Sequence, residues 1–124
     1  ALGRLALVAV AVIAPLGLVQ TLHEAQAYRE LPSAQWAFQR QALQRRLDEM
    51  PGDQLVIVRY GPTHSVHQEW VQNKADIDGA KVVWARELDD EQPLLDYFRD
   101  RQVWLVEPDV DPTRVVPYSP PPNN

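Results

Sequence analysis

Three short runs of consecutive aliphatic residues constrain the fold of this chain most strongly. They lie at residues 54–60, 81–87 and 102–107. A strand with one face in water alternates apolar and polar residues, whereas these runs do not, so each is expected to be buried on both faces as in a parallel sheet. Gly61 and Pro62 end the first run and Pro108 ends the third.

A helix is predicted before the first run and another before the third. The first begins after Ser33 as its N-cap and stops at Pro51 and Gly52. Its apolar residues fall on one stripe at helical spacing. They are Trp36, Leu43, Leu47 and Met50.

The second helix is predicted over residues 89–100, with Asp89 as N-cap and Gln92 three residues later. The order helix, strand, crossover, strand, helix, strand is typical of an α/β fold. We therefore predict that residues 34–108 form a small three-layer domain with a parallel sheet of about three strands.

An apolar segment precedes this domain. Residues 5–19 carry no charged or polar side chain, and the run extends to Leu22. As a helix, 18 residues rise roughly 27 Å, close to the thickness of a bilayer core. Residues 1–22 are therefore predicted to be a transmembrane helix, the last of several in a longer parent, with residues 23–33 as a connector.

Two alternatives to the transmembrane helix remain open. In a signal peptide, Arg4 provides the positive end and residues 25–27 ("AQA") the cleavage site. In a soluble protein the segment is a buried helix. The chain does not begin with Met, which is consistent with processing or with a longer parent.

Composition excludes several classes of function. The formal net charge is −5, which argues against nucleic-acid binding and against a polybasic attachment to anionic lipid. The chain has no cysteine, which excludes disulfides, iron–sulfur clusters and thiol catalysis. Six of the 11 prolines lie from Pro108 onwards, so residues 109–124 are predicted to be an extended, Pro-rich tail.

Histidines and acids in residues 64–87 are the candidate chemical groups. His64 and His67 form an H-x-x-H pattern, and both would share one face of a helix. The remaining histidine, His23, lies beside the apolar segment, so a third ligand is missing and no metal site is predicted. Ser65 lacks the G-x-S-x-G motif of a nucleophile elbow. We predict no catalytic residue and no cofactor.

The carboxyl ends of the strands offer a better-founded site, because ligands of open parallel sheets bind there. Tyr60, Gly61, Thr63 and His64 follow the first strand, and Asp109 follows the third. The candidate ligand-binding residues are His64, His67, Arg86 and Glu87, and an anionic or sugar-like ligand would suit them. Neither a P-loop nor a G-x-G-x-x-G motif is present, which argues against a nucleotide.

Four pieces of the sequence carry a resemblance to a known family. They are "LVIVRY", "H…H.EWV.N.ADID", "KVVWARE" and "DRQVWLVEPD", within residues 36–118. This region resembles the C-terminal part of bacterial multi-pass membrane proteins, some of them described as glycosyltransferases of family 39 or protein-mannosyltransferase type.

The resemblance implies a parent that transfers a sugar from a polyprenyl-phosphate carrier, with catalytic acids far upstream of this chain. The chain would be its non-catalytic C-terminal domain, serving folding, acceptor binding or assembly. It would lie outside the bacterial inner membrane, in contact with lipid through residues 5–22 and with upstream helices of the same parent. The alternative is a singly anchored or secreted periplasmic binding or interaction module.

The three tryptophans in and near the predicted strands, Trp70, Trp84 and Trp104, are expected to be core or half-buried packing residues. Replacing Trp84 by Ala should therefore destabilise the domain by about 3–5 kcal/mol, the cost of truncating a buried aromatic side chain. Denaturant unfolding of the variant measures this. A loss below about 1 kcal/mol would mean that residues 81–87 are not a core strand.

Overall fold

The computed structural model describes residues 20–24, 26–27 and 32–120. The chain divides into two compact units, Ala1–Phe38 and Gln39–Asn124. In the first unit, residues 20–24, 26–27 and those from Pro32 are helical. Most of the predicted transmembrane segment, residues 1–19, lies outside the described residues, as do residues 121–124 of the predicted tail. No described helix combines the length and the hydropathy needed to cross a bilayer.

The second unit contains a four-stranded mixed sheet. Its strands are β1 (Gln54–Val58), β2 (Val82–Arg86), β3 (Gln102–Glu107) and β4 (Arg114–Pro117). Their order is β2-β1-β3-β4. β1 runs parallel to β2 and β3, whereas β4 runs antiparallel to β3. The predicted α/β class is confirmed, and the predicted parallel sheet of about three strands is corrected to a mixed sheet of four.

β4 lies in the segment predicted to be a Pro-rich tail. Proline is tolerated there because β4 is an edge strand. Tyr118 donates its backbone N–H to the carbonyl of Val103. Hydrogen-bonding residues alternate along an antiparallel pair, so Pro117, opposite Trp104, turns its nitrogen to the open side of the sheet. Because the segment is rich in proline, its sequence did not predict this strand.

β1 is the centre of the sheet and is fully buried. Leu55, Val56 and Ile57 have no exposed surface. Strands on both sides remove its edges from water, and the helical layers remove its two faces. This confirms the burial predicted from its uninterrupted aliphatic run.

Helices α1 (Pro32–Glu49) and α2 (Gln92–Tyr97) precede β1 and β3. On one face, Leu55 and Val83 pack against Leu94 and Leu95 of α2. On the other face, the Trp84 indole N–H donates to Gln44 Oε1 of α1 at 2.7 Å. Within the second unit the sheet therefore lies between the two helices.

The helix starts differ from those predicted. Ser33 lies inside α1, which begins at Pro32. The N-cap of α2 is Glu91 and not Asp89, and a proline occupies the first turn. Proline has no N–H and a fixed φ, which suits it to the start of a helix. The acids before α2 instead form a turn, in which Glu91 accepts the Leu88 N–H at 2.5 Å.

The connection between β1 and β2, residues 59–81, contains no helix. Parallel neighbours require a crossover, and this one carries Trp70, which is buried. Arg40 of α1 donates its Nε to the carbonyl of Trp70 at 2.7 Å and its Nη2 to that of Gln72 at 2.8 Å. The helix before β1 thus holds the crossover that follows β1.

A side-chain amide completes the outer edge of β2. Asn73 accepts the Trp84 N–H through Oδ1 and donates Nδ2 to the Trp84 carbonyl, both at 2.8 Å. An edge strand presents unpaired backbone groups, and the amide of Asn73 pairs with them as a neighbouring strand would. Trp70 and Trp84 are almost fully buried and Trp104 is half-buried, which confirms their predicted packing role.

Candidate functional site

Charged side chains of alternating sign cross the carboxyl edge of the sheet. Arg59 follows the central strand and reaches the neighbouring strand end on each side. It makes a bidentate pair with Glu87, at 2.5 and 2.6 Å, and contacts Glu107 at 3.2 Å. Arg114 of β4 lies 3.3 Å from the other Glu107 oxygen. We call Glu87, Arg59, Glu107 and Arg114 the edge row.

The edge row links all four strands. Hydrogen bonding to Glu87 is the main cause that raises the pKa of Arg59 further above its usual value. The Arg59 side chain is 43% exposed, so each pair is screened by water and contributes only about 0.2–1 kcal/mol. Glu87, a predicted ligand-binding residue, is therefore already occupied by Arg59.

Tyr60 is the centre of a second cluster at this edge. Its ring stacks on His64 with centroids 3.9 Å apart, and the Arg86 guanidinium carbon lies 5.3 Å from the ring centroid. Its hydroxyl donates to Glu69 at 2.5 Å and accepts the Trp70 N–H at 2.9 Å. Burial, followed by the hydrogen bond to Glu69, raises the pKa of Tyr60 to about 12.

Glu69 receives donors from three directions. They are the Tyr60 hydroxyl, the Val71 N–H at 2.9 Å and Nη2 of Arg86. Partial burial alone would raise the pKa of Glu69, but these hydrogen bonds outweigh it and lower that pKa below its usual value. Glu69 is thus a charged acceptor that fixes the loop around Trp70.

Asp109 joins the loops that follow β1 and β3. Its Oδ2 accepts the Gly61 N–H at 2.7 Å, and its Oδ1 lies 2.7 Å from His64 Nδ1. A Cβ at position 61 would lie 3.3 Å from the Asp109 Cβ, so glycine permits this close approach. The sequence correctly placed His64 and Asp109 at one edge of the sheet.

A cleft of about 360 Å³ opens beside this junction. The chain passes from β1 to β2 on one side and from β2 to β3 on the other, so the junction is the topological switch point where open sheets bind ligands. We call it the switch-point cleft. Its lining includes Arg59, Tyr60, Thr63, Glu107, Asp109 and Val110.

The structure brings two of the four predicted ligand-binding residues, His64 and Arg86, to the ring of Tyr60. His64 pairs with Asp109, Arg86 with Glu69, and Glu87 with Arg59. His67 is exposed. Residues 64–70 are not helical, so the H-x-x-H pattern does not form one helix face. Among the described residues, no three histidines, cysteines or acids are close enough to hold a metal ion.

Sequence reasoning missed Arg59, Asn73 and the structural role of Glu69. The alternating charges of the edge row follow from the register, in which Val58 lies opposite Arg86 and Val106. Register is a tertiary property, and no local pattern in residues 54–60 specifies it. The sequence signal for Asn73 was equally weak, because a single polar residue in a loop has many possible partners.

Comparisons with protein-family models, with curated proteins and with solved structures found no match for this chain. The family resemblance of residues 36–118 thus remains a prediction.

The lowered pKa of Glu69 predicts a pH dependence of stability. Its contribution is present above the usual value of 4.5 and is lost as the pH falls through the lower folded-state pKa. Replacing Glu69 by Gln should therefore destabilise the protein at about pH 7, and by less at about pH 3. Denaturant unfolding at both pH values measures the difference.

Glu49→Gln is the matched control, because it makes the same charge change on the exposed side of α1. It should leave both values within about 0.5 kcal/mol of the original protein. An identical loss for Glu69→Gln at both pH values would contradict the assigned role of its charge.

Proposed function

We propose that residues 39–120 form a non-catalytic binding domain whose ligand site is the switch-point cleft. The observation that carries this proposal is the junction made by Asp109, which holds the loops after β1 and β3 together at the switch point. The site is held by the protein's own contacts before any ligand arrives. Such preorganisation lowers the cost of binding.

The charged residues at the edge of the sheet are already paired with other protein groups, which favours binding over catalysis. His64 and Asp109 have the geometry of a base and its orienting acid. Among the described residues, however, no hydrogen bond joins His64 to a hydroxyl or other nucleophile. Glu87 and Glu107, the acids at the ends of β2 and β3, are held by Arg59.

The lining of the cleft suits a small polar ligand of the sugar class. Thr63 provides a hydroxyl, and Asp109 provides a carboxylate acceptor. Pro62 and Val110 add apolar surface. Binding sites for small molecules combine an apolar lining with a few placed polar groups, in volumes of about 300–1,000 Å³.

The family resemblance supports a placement for this domain. We infer that it is the extracytoplasmic C-terminal domain of a membrane-embedded, glycosyltransferase-like protein of the bacterial inner membrane, where the cleft receives part of the acceptor. The alternative is a singly anchored or secreted periplasmic module that uses the same cleft. The coding sequence upstream separates them: many further hydrophobic spans favour the first, and a nearby start codon the second.

Ligand binding at the cleft is tested by NMR on the full chain with methyl α-mannoside as the probe. The amide signals of Gly61, Thr63 and Asp109 should shift on titration, with millimolar affinity corresponding to about −4 kcal/mol. Asp109→Ala releases both loops and should abolish these shifts.

Asp53→Ala is the control for this experiment, because Asp53 precedes β1 at the opposite edge of the sheet. It should leave the titration unchanged. Shifts confined to other regions, or shifts that persist in Asp109→Ala, would refute the assignment of the cleft.

A further inference from the structure

The two outer edges of the sheet are finished differently. At the outer edge of β2, the side-chain amide of Asn73 pairs with both backbone groups of Trp84. β4 forms the other outer edge, and β3 is its one neighbour in the sheet. An uncovered edge strand presents unpaired N–H and C=O groups, to which another extended chain can add as a further strand. We call the outer side of residues 114–117 the open edge.

The register of β4 identifies the backbone groups at the open edge. Tyr118 donates its N–H to the Val103 carbonyl, and in an antiparallel pair the residues at every second position before it also face β3. Val115 and Pro117 lie at the positions between and direct their backbone groups outward. Within the described part of the chain these groups have no hydrogen-bond partner. The open edge thus offers the N–H and C=O of Val115 and the C=O of Pro117.

The side chain of Arg114 selects the charge of a partner strand. Charges alternate along the edge row, which ends in Arg114 at the start of β4. This side chain is 61% exposed, and Glu107 is its ion-pair partner on the inner side. Opposite charges on facing residues of neighbouring strands stabilise the pairing, whereas like charges destabilise it. A carboxylate on a fifth strand, opposite Arg114, would continue the alternation.

The two valines of β4 favour apolar residues on that strand. Val115 is 37% exposed and Val116 is half-buried. Side chains alternate between the two faces of a sheet, so Arg114 and Val116 share one face and Val115 lies on the other. β-branched residues opposite the valines would cover both. β3 already pairs this pattern with β4, because two aliphatic residues and an acid of β3 lie opposite the two valines and the arginine.

We propose that β4 binds an extended peptide segment of a partner protein as a fifth, antiparallel strand. The segment carries two β-branched apolar residues followed by an acid. The first faces Val116, the second exchanges two backbone hydrogen bonds with Val115, and the acid faces Arg114. Pro117 has no N–H, so it accepts one hydrogen bond and ends the pairing.

A partner segment suits the open edge better than a second copy of β4 does. Antiparallel pairing of two copies centred on Val115 would place Val116 of each copy opposite Arg114 of the other, with no acid to face the arginine. The open edge shares no residue with the lining of the switch-point cleft, so this inference stands apart from the ligand proposed there.

The test is an NMR titration of the full chain with the peptide acetyl-Ser-Thr-Val-Val-Glu-Ser-amide, whose glutamate is placed opposite Arg114. The amide signals of Val115 and Val116 should shift. Exchange of the Val115 N–H with water should slow, because this N–H gains a partner in the complex. The signals of Gly61 and Thr63 in the switch-point cleft should stay unchanged.

Two altered peptides separate the backbone contribution from the charge contribution. N-methylation of the second valine removes the donor to the Val115 carbonyl and should abolish the shifts. Replacing the glutamate by glutamine should weaken binding by about 1.5- to fivefold, the range for facing opposite charges on a sheet. Both peptides leave the protein unaltered, so they keep the test informative if a protein variant does not fold.

Two protein variants make the matching changes in β4. Val115→Pro removes an N–H that the domain does not use, and edge strands tolerate proline, so this variant should fold and lose peptide binding. Arg114→Gln should weaken binding of the glutamate peptide but not of the glutamine peptide. Arg45→Gln, the same charge change on the exposed side of α1, should alter neither.

Four outcomes would each overturn the proposal. They are equal binding of the N-methylated peptide, shifts confined to regions outside β4, self-association of the chain through β4 in place of peptide binding, and no binding of the glutamate peptide to the original chain.

Discussion

The burial of β1 between two parallel neighbours is the constraint on which the rest of this domain depends. Leu55, Val56 and Ile57 are removed from water, so the chain must leave β1, return to pair on one side as β2, and cross to the other side as β3. Each return requires a crossover. The reversal also creates the switch point between β1 and β3, because the connection from β1 runs to one side of it and β3 lies on the other.

The crossover from β1 to β2 is unusual because it lacks a helix. Its backbone groups cannot satisfy one another as those of a helix do, so side chains satisfy some of them instead. Arg40 donates to the carbonyls of Trp70 and Gln72, and Tyr60 and Glu69 accept the N–H groups of Trp70 and Val71. Asn73 of the crossover in turn pairs with both backbone groups of Trp84 in β2. Of the polar residues within 64–87, Glu69 and Asn73 thus serve to hold this loop.

This arrangement explains how much the sequence could predict. The aliphatic runs were sufficient to predict the three core strands, and the bounds of β3 were predicted correctly. β4 was missed because proline-rich composition argues against strands in general, and only its edge position makes Pro117 acceptable. The pairing of His64 with Asp109 follows from the rule that parallel strand ends meet.

The remaining contacts of the site required the register and the path of the loop. Arg86 was expected to bind a ligand together with the histidines, but the loop places Glu69 in an ion pair with it. The burial of Glu91 could not be predicted from the sequence either. An acid before a helix is expected to interact with the macrodipole in water, whereas the turn before α2 buries this one.

Amide hydrogen exchange tests the central claim, that side chains hold the 59–81 crossover as a fixed part of the domain. The N–H groups of Trp70, Val71 and Trp84 bond to Tyr60, Glu69 and Asn73 and to no backbone carbonyl. They should exchange as slowly as amides within β1, and Asn73→Ala should accelerate Trp84, with Lys74→Ala as the unchanged control. Rapid exchange of these amides in the original protein would show that the crossover is not held in this way.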